Sequence, residues 1–195
     1  YQNRVIIVSL LFFISITKSN INNIMNNPLL TKSTLPYGAP QFDKIETQHY
    51  IPAFKQAIEE GKAEIDAIVN NPEAPSFENT IEALEYAGET LNRISHIFYN
   101  LLEANTNEEM QNIAEEISPL TTEFSMYVRL NDGLFQRIKN VYEQRESLNL
   151  DDVELRLLEK TYEGFARNGA NLSPENKETY SKYMEELSLL SLQFG

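Results

Sequence analysis

Cysteine is missing from this 195-residue sequence, which rules out a disulfide framework, a thiol nucleophile and a thiolate metal site. Glycine and proline are scarce, at seven and eight residues, so neither a collagen-like repeat nor a Gly/Ser linker fits. Positive charge is short as well: 16 Lys and Arg against 29 Asp and Glu leave a formal charge of −13. Phosphate binding needs clustered cations to displace counterions, so nucleic acid is excluded as a partner class. Histidine occurs only at His49 and His96, 47 positions apart. A zinc-hydrolase helix needs two imidazoles four residues apart with a Glu between them, and neither histidine has such a neighbour. A Gly-rich phosphate loop, an EF-hand loop and a G-x-S-x-G elbow are all absent.

Residues 1–24 stand apart from the rest. Arg4 precedes the apolar run Val5 to Ile16, and Lys18-Ser19-Asn20 returns to polar sequence. The run is too short to span a bilayer, which takes about 20 residues, but it suits the core of a secretory signal peptide. Two readings stand. Either this is an export leader and the protein is exported or periplasmic, or translation begins at Met25 and the product is cytoplasmic. In both, residues 1–24 lie outside the fold. Residues 25–48 follow as an extended arm punctuated by Pro28, Pro36, Gly38 and Pro40, with Leu29, Leu30, Leu35, Tyr37 and Phe42 as apolar anchors.

From residue 49 onward the apolar residues recur at helical spacing, and period-two alternation is missing. The expected fold is all-α: an antiparallel array of about six helices, residues 49–195, joined by short loops. The first helix covers about His49 to Asn70. A long second helix, from Phe77 or Asn79 to Ala104, carries the stripe Ile81, Leu84, Gly88, Leu91, Ile94, Phe98 and Leu101, with Ser76 or Asn79 as N-cap. The third opens on a Thr106–Glu109 capping box, and Pro119 predicts a kink or break near Ser118. The fourth runs from Asp132 to Gln144, capped by Asn131. The fifth covers about Asp151 to Asn168, closed by Gly169 in the left-handed conformation. The sixth starts at Ser173-Pro174 with the stripe Tyr180, Tyr183, Met184, Leu187, Leu190 and Phe194. Its face is still apolar at the last residue, so the helical domain is expected to be truncated there.

The residues offer no complete catalytic constellation. His96 falls on the polar side of the second helix and reads as solvated, and His49 reads as a capping or packing residue. The acidic pairs Glu59-Glu60, Glu108-Glu109, Glu115-Glu116 and Glu185-Glu186 point about 100° apart on a helix and do not converge on one ion or proton. Glu89 and Arg93 are spaced for a helical ion pair. No catalytic, cofactor-binding or metal-ligating residue is assigned in this chain.

The order of motifs is nevertheless specific. Residues 27–54, NPLLTKSTLPYGAPQFDKIETQHYIPAF, resemble the opening of the M3 family of zinc peptidases, in the branch of bacterial peptidyl-dipeptidases and oligopeptidases A. The stretch NNPEAPSFENTIEALEYAG is similar to that family's NNPxxPTFENTIxALExxG segment, with Ser76 where Thr is more usual. NLLEANTNEEMQ, LNDGLFQRIKNVYEQRESLNL, RLLEKTYEGFARNGANL and ELSLLSLQFG resemble successive family segments, so the likeness runs from about 26 to 195. It implies the N-terminal helical region of an M3 fold, one wall of a deep channel that admits short unfolded peptides and excludes folded proteins. The family holds one zinc ion on an H-E-x-x-H helix and a downstream Glu. That motif would lie beyond this sequence, so the zinc ligands fall outside the chain and no site residue carries over. On this reading the chain alone is inactive, and its partner is the catalytic half of the same protein. It would also expose apolar surface where that half docks. A free-standing helical module that binds peptides or a partner is the alternative.

Overall fold

Spacing, caps and breaks in the sequence become seven α-helices in the computed structural model, which describes residues 27–194. They are α1 (Tyr50–Val69), α2 (Ala83–Tyr86), α3 (Glu89–Ala104), α4 (Glu108–Arg129), α5 (Asp132–Glu143), α6 (Asp152–Phe165) and α7 (Pro174–Phe194). Six have 12 residues or more, and α2 has four. No strand occurs among the described residues, and no helix there is long and apolar enough to cross a membrane. The leader reading falls on residues outside those described.

Two cores share α1 as a common wall. Its first half gives Tyr50, Phe54 and Ile58 to a cluster with Leu29 of the arm, Ile94 and Phe98 of α3, and Ile113 and Ile117 of α4. Edge-to-face rings organise that cluster: Tyr50 and Phe54 meet Phe98 with centroids 4.9 and 5.8 Å apart. Each such buried aromatic contributes about 1.5–3 kcal/mol through removal from water. The second half of α1 gives Ile65 and Ile68 to a cluster with Phe77, Ile81, Leu134, Ile138, Val141 and Leu158. Gly61 lies between the two sets, where a Cβ would come within 2.7 Å of the Phe124 ring.

Capping follows short polar side chains, with one change of position. Ser76 Oγ accepts from Asn79 N, and Asn79 Oδ1 accepts from Ser76 N, so both expected residues act in one box. Asn131 caps α5, and Asp151 caps α6 in a box with Glu154. The cap of α4, however, is Asn107, whose Oδ1 accepts from Met110 N at 2.9 Å. The cap thus sits one residue later than the Thr106 box, which would have served Glu109 N rather than Met110 N. Gly169 closes the segment after α6 at φ +96°, as its position predicts.

Three expectations change. The long helix from 77 to 104 is interrupted: a wide π-helical turn (Phe77–Glu82) leads into α2, and the chain breaks at Ala87 and Gly88 before α3. Gly88 is left-handed at φ +78°, and its N–H donates to Glu64 Oε2 on α1 at 2.7 Å. The apolar spacing survives a break because both pieces pack against α1. Pro119, conversely, does not break α4, which runs through it. The carbonyl that proline leaves unpaired belongs to exposed Glu115, on the side of the helix that solvent reaches. Of the apolar residues described in the arm, Leu29 alone is fully buried, with Leu30 packed beside it. Leu35, Tyr37 and Phe42 are exposed rather than anchored. Asn27 does the holding: its Nδ2 donates to His49 O at 2.8 Å and its Oδ1 accepts from Leu29 N at 3.0 Å.

Candidate functional site

Residues 71–80 form the most densely bonded turn in the described chain, and a buried arginine organises it. Arg137 is 8% exposed. Its Nη1 donates to Asn71 O and Glu73 O at 3.1 and 3.2 Å, and its Nη2 donates to Asn79 Oδ1 at 2.9 Å. Asn79 Nδ2 also reaches Ala74 O at 2.9 Å, so one carboxamide bridges cap, turn and guanidinium. Arg137 Nε has no hydrogen-bond partner. Sequence reading missed this residue, although the spacing carries the signal. Position 137 is three after Leu134 and four before Val141, which places it on the buried face of α5.

The histidines occupy unrelated places. His49 Nδ1 accepts from Glu46 N at 3.0 Å, closing a small capping box before α1. His96 is exposed on α3. The four acidic pairs are exposed along their helices. Glu89 reaches Lys32 Nζ at 3.7 Å, and no ion pair joins it to Arg93 among the described residues. Among those residues no three His, Cys, Asp or Glu side chains come together in a way that could hold a metal ion. The donor chemistry matches that placement, since the His49 nitrogen nearest the chain is already used by a backbone N–H. These residues do not fit a zinc site.

Two open grooves lie along α7, which rests on α4 through hydroxyls. Ser118 and Ser188 meet at 2.5 Å, and Thr122 Oγ1 donates to Ser188 Oγ at 3.0 Å. One groove of about 480 Å³ is lined by Tyr99, Thr121, Arg129, Met184, Leu187 and Ser191. A second, of about 600 Å³, is lined by Tyr127, Leu130, Asp132, Ser181 and Glu185. Buried Met126 borders both. Burial pushes the Tyr99 phenol up, with the Thr121 hydroxyl pulling the other way. Tyr127 is pushed up to about 12, first by donating to Asp66 and then by burial. At the start of α7, Lys177 is buried and donates to Leu130 O and Asp132 Oδ1 at 3.0 and 2.5 Å. That bond fixes α7 to the junction of α4 and α5. Both grooves are open and bordered by apolar and hydroxyl-bearing side chains, an arrangement that can bind or pack.

The chain is 42% identical over 169 residues, 87% of its length, to the dipeptidyl carboxypeptidases of Salmonella typhimurium and Escherichia coli. It is 26% identical over 171 residues to the oligopeptidase A of Salmonella typhimurium. The chain is therefore a homologue of these peptidases. It spans about a quarter (25%) of the length of each of these relatives. No family model matches it.

Proposed function

We propose that this homologue of dipeptidyl carboxypeptidases and oligopeptidases A forms the amino-terminal helical region of a zinc-dependent M3 peptidase acting on short peptides. The observation that carries the proposal is the 42% identity to dipeptidyl carboxypeptidases over 169 residues. The order of segments from residue 27 onward supports it, as does the 71–80 turn, whose Ser76, Asn79 and Arg137 bonds give its residues a structural reason to be what they are. On this reading the described helices form one wall of the peptide channel. The zinc ion supplies the hydrolytic chemistry from elsewhere in the full-length protein, because the described residues do not fit a metal site. The chain's own part is to build a rigid surface: the Arg137-held turn fixes α2 and α5, and α1 ties that turn to the arm.

The test compares the full-length protein with the 195-residue chain on short peptides bearing free carboxyl termini, with products read by mass spectrometry. The full-length protein should release dipeptides and lose activity to a chelator. The 195-residue chain should cleave nothing, and zinc should not raise its melting temperature, since a specific site would stabilise the fold by mass action. A full-length protein that cleaves no peptide, or a short chain that cleaves alone, overturns the reading.

A further inference from the structure

Helix α7 is apolar on two sides. Met184 lines the groove beside α4, and half-buried Leu192 packs on the first core. Leu187 borders the same groove, and with Tyr183 and Leu190 it forms the outward edge of the helix: Tyr183, Leu187 and Leu190 are 66%, 55% and 42% exposed. Spacings of four and three put these three on a single stripe. A helix that faces only water on its outer side carries polar residues there, and a continuous apolar stripe marks a contact surface. The seating of α7 agrees. It is fixed by Lys177 at one end and by the Ser118, Thr122 and Ser188 hydroxyls near the middle, and open grooves border Met126 on α4. The helix stands up as a rib with an apolar crest.

We propose that this crest is the seat of the remaining part of the full-length peptidase, which straddles α7 and fills the grooves beside it. The inference rests on the functional reading above and adds the surface through which it works. The 169 matched residues cover 25% of the first relative, so a large folded body has to meet this quarter somewhere. The chemistry of that body follows from the rim. Glu186 is exposed beside the crest and Glu185 lines the second groove that the occupant fills, while the nearby Lys182 is already paired with Glu178 at 2.7 Å. The docking surface is therefore apolar at its centre and basic at its edge. A second copy of α7 fits less well, because a two-fold pairing of crests brings the same acidic rim against itself.

The absence of cysteine from the chain supplies a direct test. Leu187→Cys and, as a control, Val153→Cys on α6, which is 77% exposed, are introduced into the full-length protein. Thiol labelling at each site is followed by peptide mass spectrometry. The thiol on the crest should label at least about tenfold more slowly than the control thiol on α6, the factor that about 1.4 kcal/mol of protection against opening gives. The two should label alike after denaturation. Equal rates in the native full-length protein overturn the proposal. So does protection of the crest thiol in the 195-residue chain accompanied by a dimer in sedimentation, which would make a second copy the occupant. Labelling does not depend on peptide hydrolysis. A protected crest thiol in a protein that cleaves nothing keeps the docking surface and removes the peptidase reading, and an accessible one in an active enzyme does the reverse.

Discussion

Removing the Arg137 guanidinium tests whether the 71–80 turn is held from below. Three hydrogen bonds from a charged donor are lost, each worth about 1.5–3 kcal/mol net. Two effects offset part of that sum. The guanidinium is buried without a carboxylate partner, so its removal recovers desolvation energy, and Asn71 and Glu73 lie near the surface, where water can replace the donor to their carbonyls. We expect Arg137→Ala to cost about 2–4 kcal/mol. Arg137→Met, which keeps most of the stem's packing, should cost about 1–3 kcal/mol because the acceptors still lose their donor. Urea unfolding followed by circular dichroism gives the difference directly. At about 2–4 °C per kcal/mol for a chain of this size, the alanine variant should melt roughly 5–12 °C lower. A cycle with Asn79→Ala isolates the bond between the two side chains, with coupling of about 1 kcal/mol expected. The reasoning is refuted if Arg137→Met stays within about 0.5 kcal/mol of the wild type, or if the cycle shows no coupling.

Other outcomes follow from the same structure. Gly169→Ala must place a Cβ at φ +96° within 3.1 Å of Leu130 and Leu172 and should cost about 1–3 kcal/mol. Gly164→Ala, inside α6 with nothing within 4 Å, should stabilise by up to about 1 kcal/mol; equal effects would contradict the backbone argument. Pro119→Ala restores an N–H to a helix that already runs through this position and should raise stability by about 1–3 kcal/mol; a loss in urea titration would show that the ring itself is needed. For Tyr127, the folded state favours the neutral phenol that donates to Asp66 and raises its pKa from 10 to about 12. Its contribution is complete below pH 10 and lost as the pH rises from 10 to 12. Tyr127→Phe should flatten that part of the stability profile, and parallel profiles for the two proteins would count against the bond.

What could be read from the sequence was whatever depends on neighbours along the chain. The caps at Ser76 and Asn131, the left-handed close at Gly169 and the helical recurrence of apolar residues after position 49 are all local, and each stands where spacing puts it. The break at Gly88 was hidden because its cause is Glu64, 24 residues earlier on another helix. Arg137 was hidden by its type, since arginine reads as surface until the backbone carbonyls that satisfy it are in place. The arm was misjudged for a related reason. Asn27, a polar residue, anchors it through His49 O, while Tyr37 and Phe42 point outward. The candidate site stayed the least legible part, because its grooves exist only where α7 meets α4. The histidines stand where their positions suggested, His49 in a capping box just before α1 and His96 facing solvent.

Because both cores are built on α1, the count of residues in that helix acts as a fixed gauge. Ile58 belongs to one cluster and Ile65 to the other, seven residues and about two turns apart. Inserting or deleting one residue between them would turn every later side chain by about 100°, withdrawing Ile65 and Ile68 from their pocket while the first cluster stayed intact. Loops such as 144–151 have no such gauge and can lengthen at small entropic cost. Among homologues, length variation should therefore gather in those loops and spare α1, even where its individual residues differ.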